Sequence, residues 1–196
     1  MSYVVKAREI VLQSLAEKAY KQAPRGKKFR LASGKTSSVV VDASLAMRYG
    51  TTFSALKQVI DDMIPDNLEF NVVAGPASGA DPLCSGLLEL WPELRWCSIR
   101  KQAKNHGFDK GLITGPIEKG DRVLLLEDVL TTGRSLGRAV DEVKSAGCII
   151  VGAVVLVDRR EFGGRRTIEN LIKPAKLKSV FTLAEIRTFR KQHKIS

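Results

Sequence analysis

The stretch Val123–Leu136, VLLLEDVLTTGRSL, runs from an apolar segment through two adjacent acids into two threonines, a glycine and a serine. An unbroken apolar run of this length marks a strand covered on both faces, the habit of parallel sheets. Beyond it, Leu136, Ala139, Val140 and Val143 recur at helical spacing, and Gly147 stands where a helix end favours a left-handed residue. The stretch therefore predicts strand, tight turn and helix. The turn carries Glu127, Asp128, Thr131, Thr132, Gly133 and Ser135 at the strand's carboxyl end.

Working outward, CIIVGAVVLVD (148–158) reads as a further buried strand, and FNVVAG (70–75) and LRWCSI (94–99) as shorter ones. TTFSALKQVIDDMI (51–64) puts Phe53, Leu56, Ile60, Met63 and Ile64 on one helical stripe, which Pro65 ends. ADPLCSGLLELW (80–91) suits a helix. Ser2 stands as a cap for a helix through KAREIVLQSLAEKAY (6–20), whose buried face is expected at Ile10, Val11, Leu15 and Ala19. SSVVVDAS (37–44) has strand character. Residues 100–116 have charges, glycines and His106 but no apolar period, and read as a long loop of the kind that is usually functional. Strands alternating with helices imply a doubly wound α/β sheet, in which ligands bind outside the carboxyl ends of the strands.

The chain has 196 residues, enough for one domain with a real core. It contains no apolar run long enough to span a bilayer, and its N-terminus MSYVVKAREIVLQ lacks the apolar stretch of a signal peptide, so a cytoplasmic protein is expected. Cys84, Cys97 and Cys148 form no C-x-x-C pair and read as reduced core thiols. The net charge of +11 is unevenly spread: from Lys173 to Ser196 seven Lys and Arg stand against the single Glu185. A basic tail is most often a solvated face; binding of nucleic acid through it is possible but not favoured, because no aromatic residues interleave with the charges.

The turn after the first stretch has the chemistry of an anion site. Unpaired N–H groups and the positive end of a helix dipole favour a phosphate, threonine and serine hydroxyls add donors, and Gly133 lets the backbone come close. Glu127 and Asp128 would repel a bare phosphate. They are better explained as acceptors for hydroxyls one step away on the same ligand, which together describe a sugar phosphate. The plain structural alternative, a capped turn with incidental acids, leaves two carboxylates at a buried strand end without partners.

These residues resemble the phosphoribosyl-pyrophosphate (PRPP) motif of type I phosphoribosyltransferases: apolar strand, two acids, two variable residues, then T-T-G-x-S. Four further segments are similar to orotate phosphoribosyltransferases: FRLASGKTSSVVVDAS (29–44), IRKQAKNHG (99–107), VLVDRREFGG (155–164) and VFTLAEI (180–186). The resemblance implies the type I phosphoribosyltransferase fold, a central mostly parallel sheet flanked by helices with a small N-terminal hood. It divides the single domain 1–196 into hood and N-terminal segment (1–36, with C-terminal elements), core (37–172) and basic C-terminal tail (173–196).

The resemblance also implies the reaction, displacement of pyrophosphate from PRPP by a ring nitrogen of orotate to give orotidine 5′-monophosphate, in pyrimidine nucleotide biosynthesis. PRPP and orotate are then the partners and Mg²⁺ the cofactor, held mainly through PRPP with no direct protein ligand. Lys104, His106 and Asp128 are implied as catalytic. Glu127, Asp128, Val129, Leu130, Thr131, Thr132, Gly133, Arg134 and Ser135 would hold ribose and 5′-phosphate. Ala77, Ser78, Arg100, Lys101 and Lys104 would hold pyrophosphate; Ser33, Gly34, Lys35 and Arg159 would hold orotate. A homodimer with shared active sites is implied as well. Ser78 and Ala32 depart from the pattern, standing where some members carry lysine. Two other readings remain open at this point: transfer to a different base, and a PRPP-sensing regulator that binds nucleic acid. The cations of residues 100–106 favour the enzyme, because a regulator has no use for them.

Overall fold

The computed structural model describes residues 3–104 and 111–195. Among them, six strands form one sheet in the order β10-β9-β8-β5-β6-β7. These are β5 (Val72–Pro76), β6 (Arg95–Lys104), β7 (Gly111–Thr114), β8 (Arg122–Leu130), β9 (Ile149–Asp158) and β10 (Lys176–Thr182). All neighbours are parallel except β6 and β7. From β5 the chain winds outward to β6 and β7; from β8 it winds the other way to β9 and β10. The order of winding reverses between β5 and β8, and a crevice opens there at the carboxyl ends.

Strand β8 sits near the middle and is buried on both faces, as its sequence requires. Leu124 and Leu126 point into a core shared with α1 (Tyr3–Ser14), α3 (Gly50–Met63) and α4 (Asp81–Leu87). Val123 and Leu125 point into the opposite core, with α5 (Arg134–Ser145) and α6 (Gly164–Leu171). Alternation along one strand thus feeds two layers. Helix α5 buries Leu136, Ala139, Val140 and Val143, and Gly147 follows it at φ 76°.

The first helix and its extension bury Val11, Leu15 and Ala19 as expected, but not Ile10. Its buried stripe is Ala7, Val11 and Ser14, continued by Leu15, Ala16 and Ala19 in a π-helical segment Leu15–Ala19, whereas Ile10 is 43% exposed. Ala7, Val11 and Leu15 lie four apart and form the seam; Ile10 falls beside it. Two-residue and three-residue strands complete this N-terminal part: β1 (Tyr20–Gln22) pairs with β4 (Val39–Val41), and β2 (Phe29–Arg30) with β3 (Thr36–Ser37). Asp42 caps the short α2 (Ala43–Met47).

Residues 100–116 are not one long loop. Strand β6 continues to Lys104 and returns as β7, with Ser98 opposite Thr114, Ile99 opposite Ile113 and Lys104 opposite Gly111. Lys101, Gln102 and Ala103 are exposed. An edge hairpin with little to cover it needs no apolar period, which is why the pattern was silent. At the other edge, the basic C-terminal stretch supplies β10 and α7 (Leu183–Gln192), anchored by buried Phe181, Leu183 and Ile186 and opened by a Thr182/Glu185 capping box. No helix among the described residues is long and apolar enough to cross a membrane. Cys84, Cys97 and Cys148 are buried and form no disulfide among the described residues.

Candidate active site

Glu127 and Asp128 occupy the carboxyl end of β8, beside the crevice. Glu127 keeps the phase of Leu125 and turns toward α5, where Ser135 Oγ donates to its Oε2 at 2.8 Å. It is only 4% exposed. Burial pushes its pKa well above the usual carboxylate range, the charge of Asp128 adds to the rise, and the Ser135 hydroxyl and the Lys101 charge oppose it. Asp128 is half-buried and accepts from the N–H of Val129 at 2.8 Å. Val129 and Leu130 are held in register by β9, opposite Val157 and Asp158.

The turn from Thr131 to Ser135 is shaped by two close backbone approaches. Gly133 takes φ 76° at the N-cap of α5. A Cβ on Gly164, at the start of α6, would lie 2.3 Å from the carbonyl oxygen of Thr131 and 2.9 Å from the nitrogen of Gly133. Only glycine lets α6 lean on the turn this closely. Thr131 and Thr132 are half-buried, Arg134 and Ser135 exposed. Three hydroxylated residues thus sit where the chain enters the amide end of a twelve-residue helix, the arrangement that receives a phosphate.

Across the crevice, β5 ends in a loop through Ala77, Ser78 and Gly79. The N–H of Ala77 donates to the Ile99 carbonyl of β6 at 2.7 Å, and the Ala77–Ser78 peptide is cis. A Cβ on Gly79 would stand 2.6 Å from the Asp128 carboxylate, so the two loops touch. Ala77 is half-buried and Ser78 exposed. Arg100 is half-buried and Lys101 exposed along the outgoing half of β6, and the Lys101 carbonyl accepts from Arg138 Nη1 of α5 at 3.1 Å. Strand β6 reaches Lys104; His106 lies outside the described residues.

The last group gathers beside β9. Ser33, Gly34 and Lys35 form the turn between β2 and β3, with Gly34 at φ 82° and its N–H bonded to the Leu31 carbonyl. The Ser33 hydroxyl is buried without a hydrogen-bond partner among the described residues. Arg159 follows β9 and is 3% exposed. Its Nη2 donates to Ser37 Oγ (2.9 Å), to the Val39 carbonyl (3.0 Å) and to Glu161 Oε2 (2.8 Å), and Nε also reaches Glu161 at 3.2 Å. Its N–H meets the Leu130 carbonyl. The guanidinium thus joins β3 and β4 to the sheet directly beside the β8 turn.

Strand-end acids, hydroxylated turn, opposing glycine loop and buried guanidinium converge on one crevice. Sequence reasoning passed over Ser37 and Glu161 as partners of Arg159, and over Gly164 as the wall of the turn. Ser37 is 122 positions from Arg159, a distance no local spacing spans; the signal for Glu161 was present in the run Asp158–Glu161, where two arginines stand between two acids. Among the described residues, no group of three or more His, Cys, Asp or Glu stands together as a metal cage.

The phosphoribosyl transferase domain family matches residues 53–172 of this chain. The orotate phosphoribosyltransferase of Pyrococcus abyssi is 43% identical over 146 residues, covering 72% of this chain and 76% of that protein. The orotate phosphoribosyltransferase of Synechocystis is 32% identical over 194 residues, covering 96% and 93%. Among solved structures, the Mycobacterium tuberculosis orotate phosphoribosyltransferase with Fe(III) dicitrate superposes with a TM-score of 0.76 at 27% identity, covering 92% and 98%. The same enzyme solved with PRPP superposes with a TM-score of 0.70 at 25% identity, covering 94% and 98%.

Proposed function

The chain belongs to the phosphoribosyl transferase domain family, in its orotate phosphoribosyltransferase branch, and from that premise we propose how its own residues carry out the transfer. The donor is PRPP and the acceptor is orotate. The bond from the anomeric carbon to the pyrophosphate oxygen breaks, and a bond from that carbon to the orotate ring nitrogen forms. The ribose gains positive character as the pyrophosphate gains negative charge. Catalysis then requires anions at the sugar and cations at the leaving group, set in advance.

Glu127 and Asp128 accept the ribose hydroxyls. Thr131, Thr132, Gly133 and Ser135 hold the 5′-phosphate, with the backbone of Val129 and Leu130 fixing the approach and Arg134 at its rim. The observation that carries this reading is the meeting of two strand-end carboxylates with a hydroxylated helix-opening turn at the point where the sheet reverses its winding. Pyrophosphate lies toward Ala77, Ser78, Arg100 and Lys101. Lys104 stabilises it as it departs, and His106 donates beside it.

Orotate binds between Ser33–Lys35 and Arg159. The unpartnered Ser33 hydroxyl supports a ligand there, because a buried hydroxyl without a partner is costly. Since Nη2 and Nε of Arg159 are already engaged, the carboxylate of orotate meets the remaining Nη1 or takes the place of Glu161.

Mg²⁺ would be held mainly through the oxygens of PRPP, and the half-buried Asp128 carboxylate at the crevice is a hard oxygen compatible with the ion nearby. When bound, the ion neutralises charge on the pyrophosphate. The enzyme works as a homodimer with shared sites, in the cytoplasm, and binding of nucleic acid through the basic tail is not favoured.

The test is a substrate panel. Purified protein is mixed with PRPP and Mg²⁺ and given, in turn, orotate, uracil, hypoxanthine, guanine and adenine, and consumption of the base is followed. Turnover is expected with orotate alone. Turnover with another base in preference to orotate contradicts the acceptor assignment.

A further inference from the structure

Strand β6 outruns its neighbour. Strand β5 pairs with it only as far as Pro76 opposite Ile99, and the Ala77 N–H adds one last bond to the Ile99 carbonyl. Beyond that point β6 continues through Lys101 to Lys104, and on its other edge the pairing with β7 is irregular between Ile99 and Lys104. Lys101 is assigned to pyrophosphate above. A stretch that has to hold charge over the crevice therefore lies past the strand that would fix it.

Helix α5 supplies support at this place. Along a strand, the carbonyls of residues two apart point to the same edge, so the Lys101 carbonyl faces the space where β5 has ended. There it accepts from Arg138 Nη1 at 3.1 Å. Arg138 stands one turn after Ser135, which donates to Glu127, so one face of α5 touches the outgoing ends of both β8 and β6. The charge of Lys101 in turn reaches Glu127. Arg138 is exposed and takes no part in the core, to which α5 gives Leu136, Ala139, Val140 and Val143 instead.

We infer that Arg138 is a positioning residue for the transfer: its guanidinium stands in for a further β5 residue and, through the Lys101 backbone, sets the Lys101 ammonium over the crevice. The inference rests on the proposed role of Lys101. Its effect falls on the pyrophosphate side of the reaction and not on the acceptor side.

The test compares wild type with Arg138→Met, Arg138→Lys, Lys101→Met and the double variant Arg138→Met with Lys101→Met. Arg122→Met is the control, because Arg122 is likewise exposed and donates to a backbone carbonyl, that of Glu69, at the opposite end of β8. Calorimetry reads pyrophosphate binding with Mg²⁺ present, and steady-state kinetics give KM for PRPP, orotate, pyrophosphate and orotidine 5′-monophosphate. Arg138→Met is expected to weaken pyrophosphate binding and raise KM for PRPP about fivefold, the worth of one hydrogen bond. KM for orotate and orotidine 5′-monophosphate and the melting temperature should stay close to wild type, as for an exposed substitution away from the core. Arg138→Lys, which keeps a donor, should recover most of the loss, and Arg122→Met should change none of these values. In the Lys101→Met background, loss of Arg138 should cost less than about twofold more, because the two act through one contact. Losses that add in the double variant, an equal rise in KM for orotidine 5′-monophosphate, or pyrophosphate binding that is absent in wild type or unchanged in Arg138→Met overturns the inference. Pyrophosphate binding that depends on Arg138, in a protein that transfers nothing to orotate, upholds it and contradicts the acceptor assignment instead.

Discussion

Glu127 places an acid where burial opposes its charge. Its folded pKa lies above the ordinary value of 4.5, so over the range just above that value the folded chain holds a proton that the unfolded chain has released. Glu127 therefore lowers stability progressively as pH rises from about 4.5, and adds nothing below it. Glu127→Gln is expected to melt at a higher temperature than wild type at pH 7, with the gap closing toward pH 4, while binding PRPP more weakly. Thermal denaturation across that range checks the sign, and a gap that widens on acidification contradicts it. Lys104 makes the complementary prediction for the leaving group. Its cation is worth most once charge has developed on pyrophosphate, so Lys104→Ala should lower kcat about 10²–10³-fold with little change in the dissociation constant of PRPP. Steady-state kinetics beside equilibrium binding separates the two effects.

Elements meet in this site through glycine contacts. Gly79 lets the loop after β5 touch Asp128, and a methyl group there would displace a flexible carboxylate rather than backbone. Gly79→Ala should leave the fold intact and raise the KM for PRPP about tenfold, the cost of one misplaced charge-assisted hydrogen bond. Gly164 is the harder case, because its added carbon would meet the Thr131 carbonyl at 2.3 Å and no side chain can move aside. Gly164→Ala should destabilise the fold by about 1–3 kcal/mol and reduce affinity for PRPP, which denaturant titration and ligand binding check separately. Elements also show where sequence patterns speak. The apolar run of β8 and the stripe of α5 were legible because each is covered by other parts of the chain, and coverage is what a hydrophobic period records. The β6–β7 pair was misread as a loop because Lys101, Gln102 and Ala103 are exposed, and β1–β3 are too short for any period to register, whereas the β-branched run of β4 was read as strand. Helix α6 contributes chiefly Ile168 to its core and offered little to detect.

At the scale of the molecule, the reversal of winding between β5 and β8 brings together segments that are distant in sequence, and this convergence gives the fold its crevice. The strand-end acids and the turn were readable from one contiguous stretch. The environment of Arg159 was not, since its partners Ser37 and Val39 arrive from β3 and β4 across more than half the chain. The central claim is that this crevice grips a phosphorylated sugar at both ends, and the structure of the chain crystallised with PRPP and Mg²⁺ tests it most directly. The predicted result is the 5′-phosphate seated on the amides and hydroxyls of Thr131–Ser135, with the ribose hydroxyls on Glu127 and Asp128 and the Ser135 hydroxyl drawn from Glu127 to the phosphate. Density for PRPP elsewhere, with Ser135 still bonded to Glu127 and the turn unliganded, contradicts it.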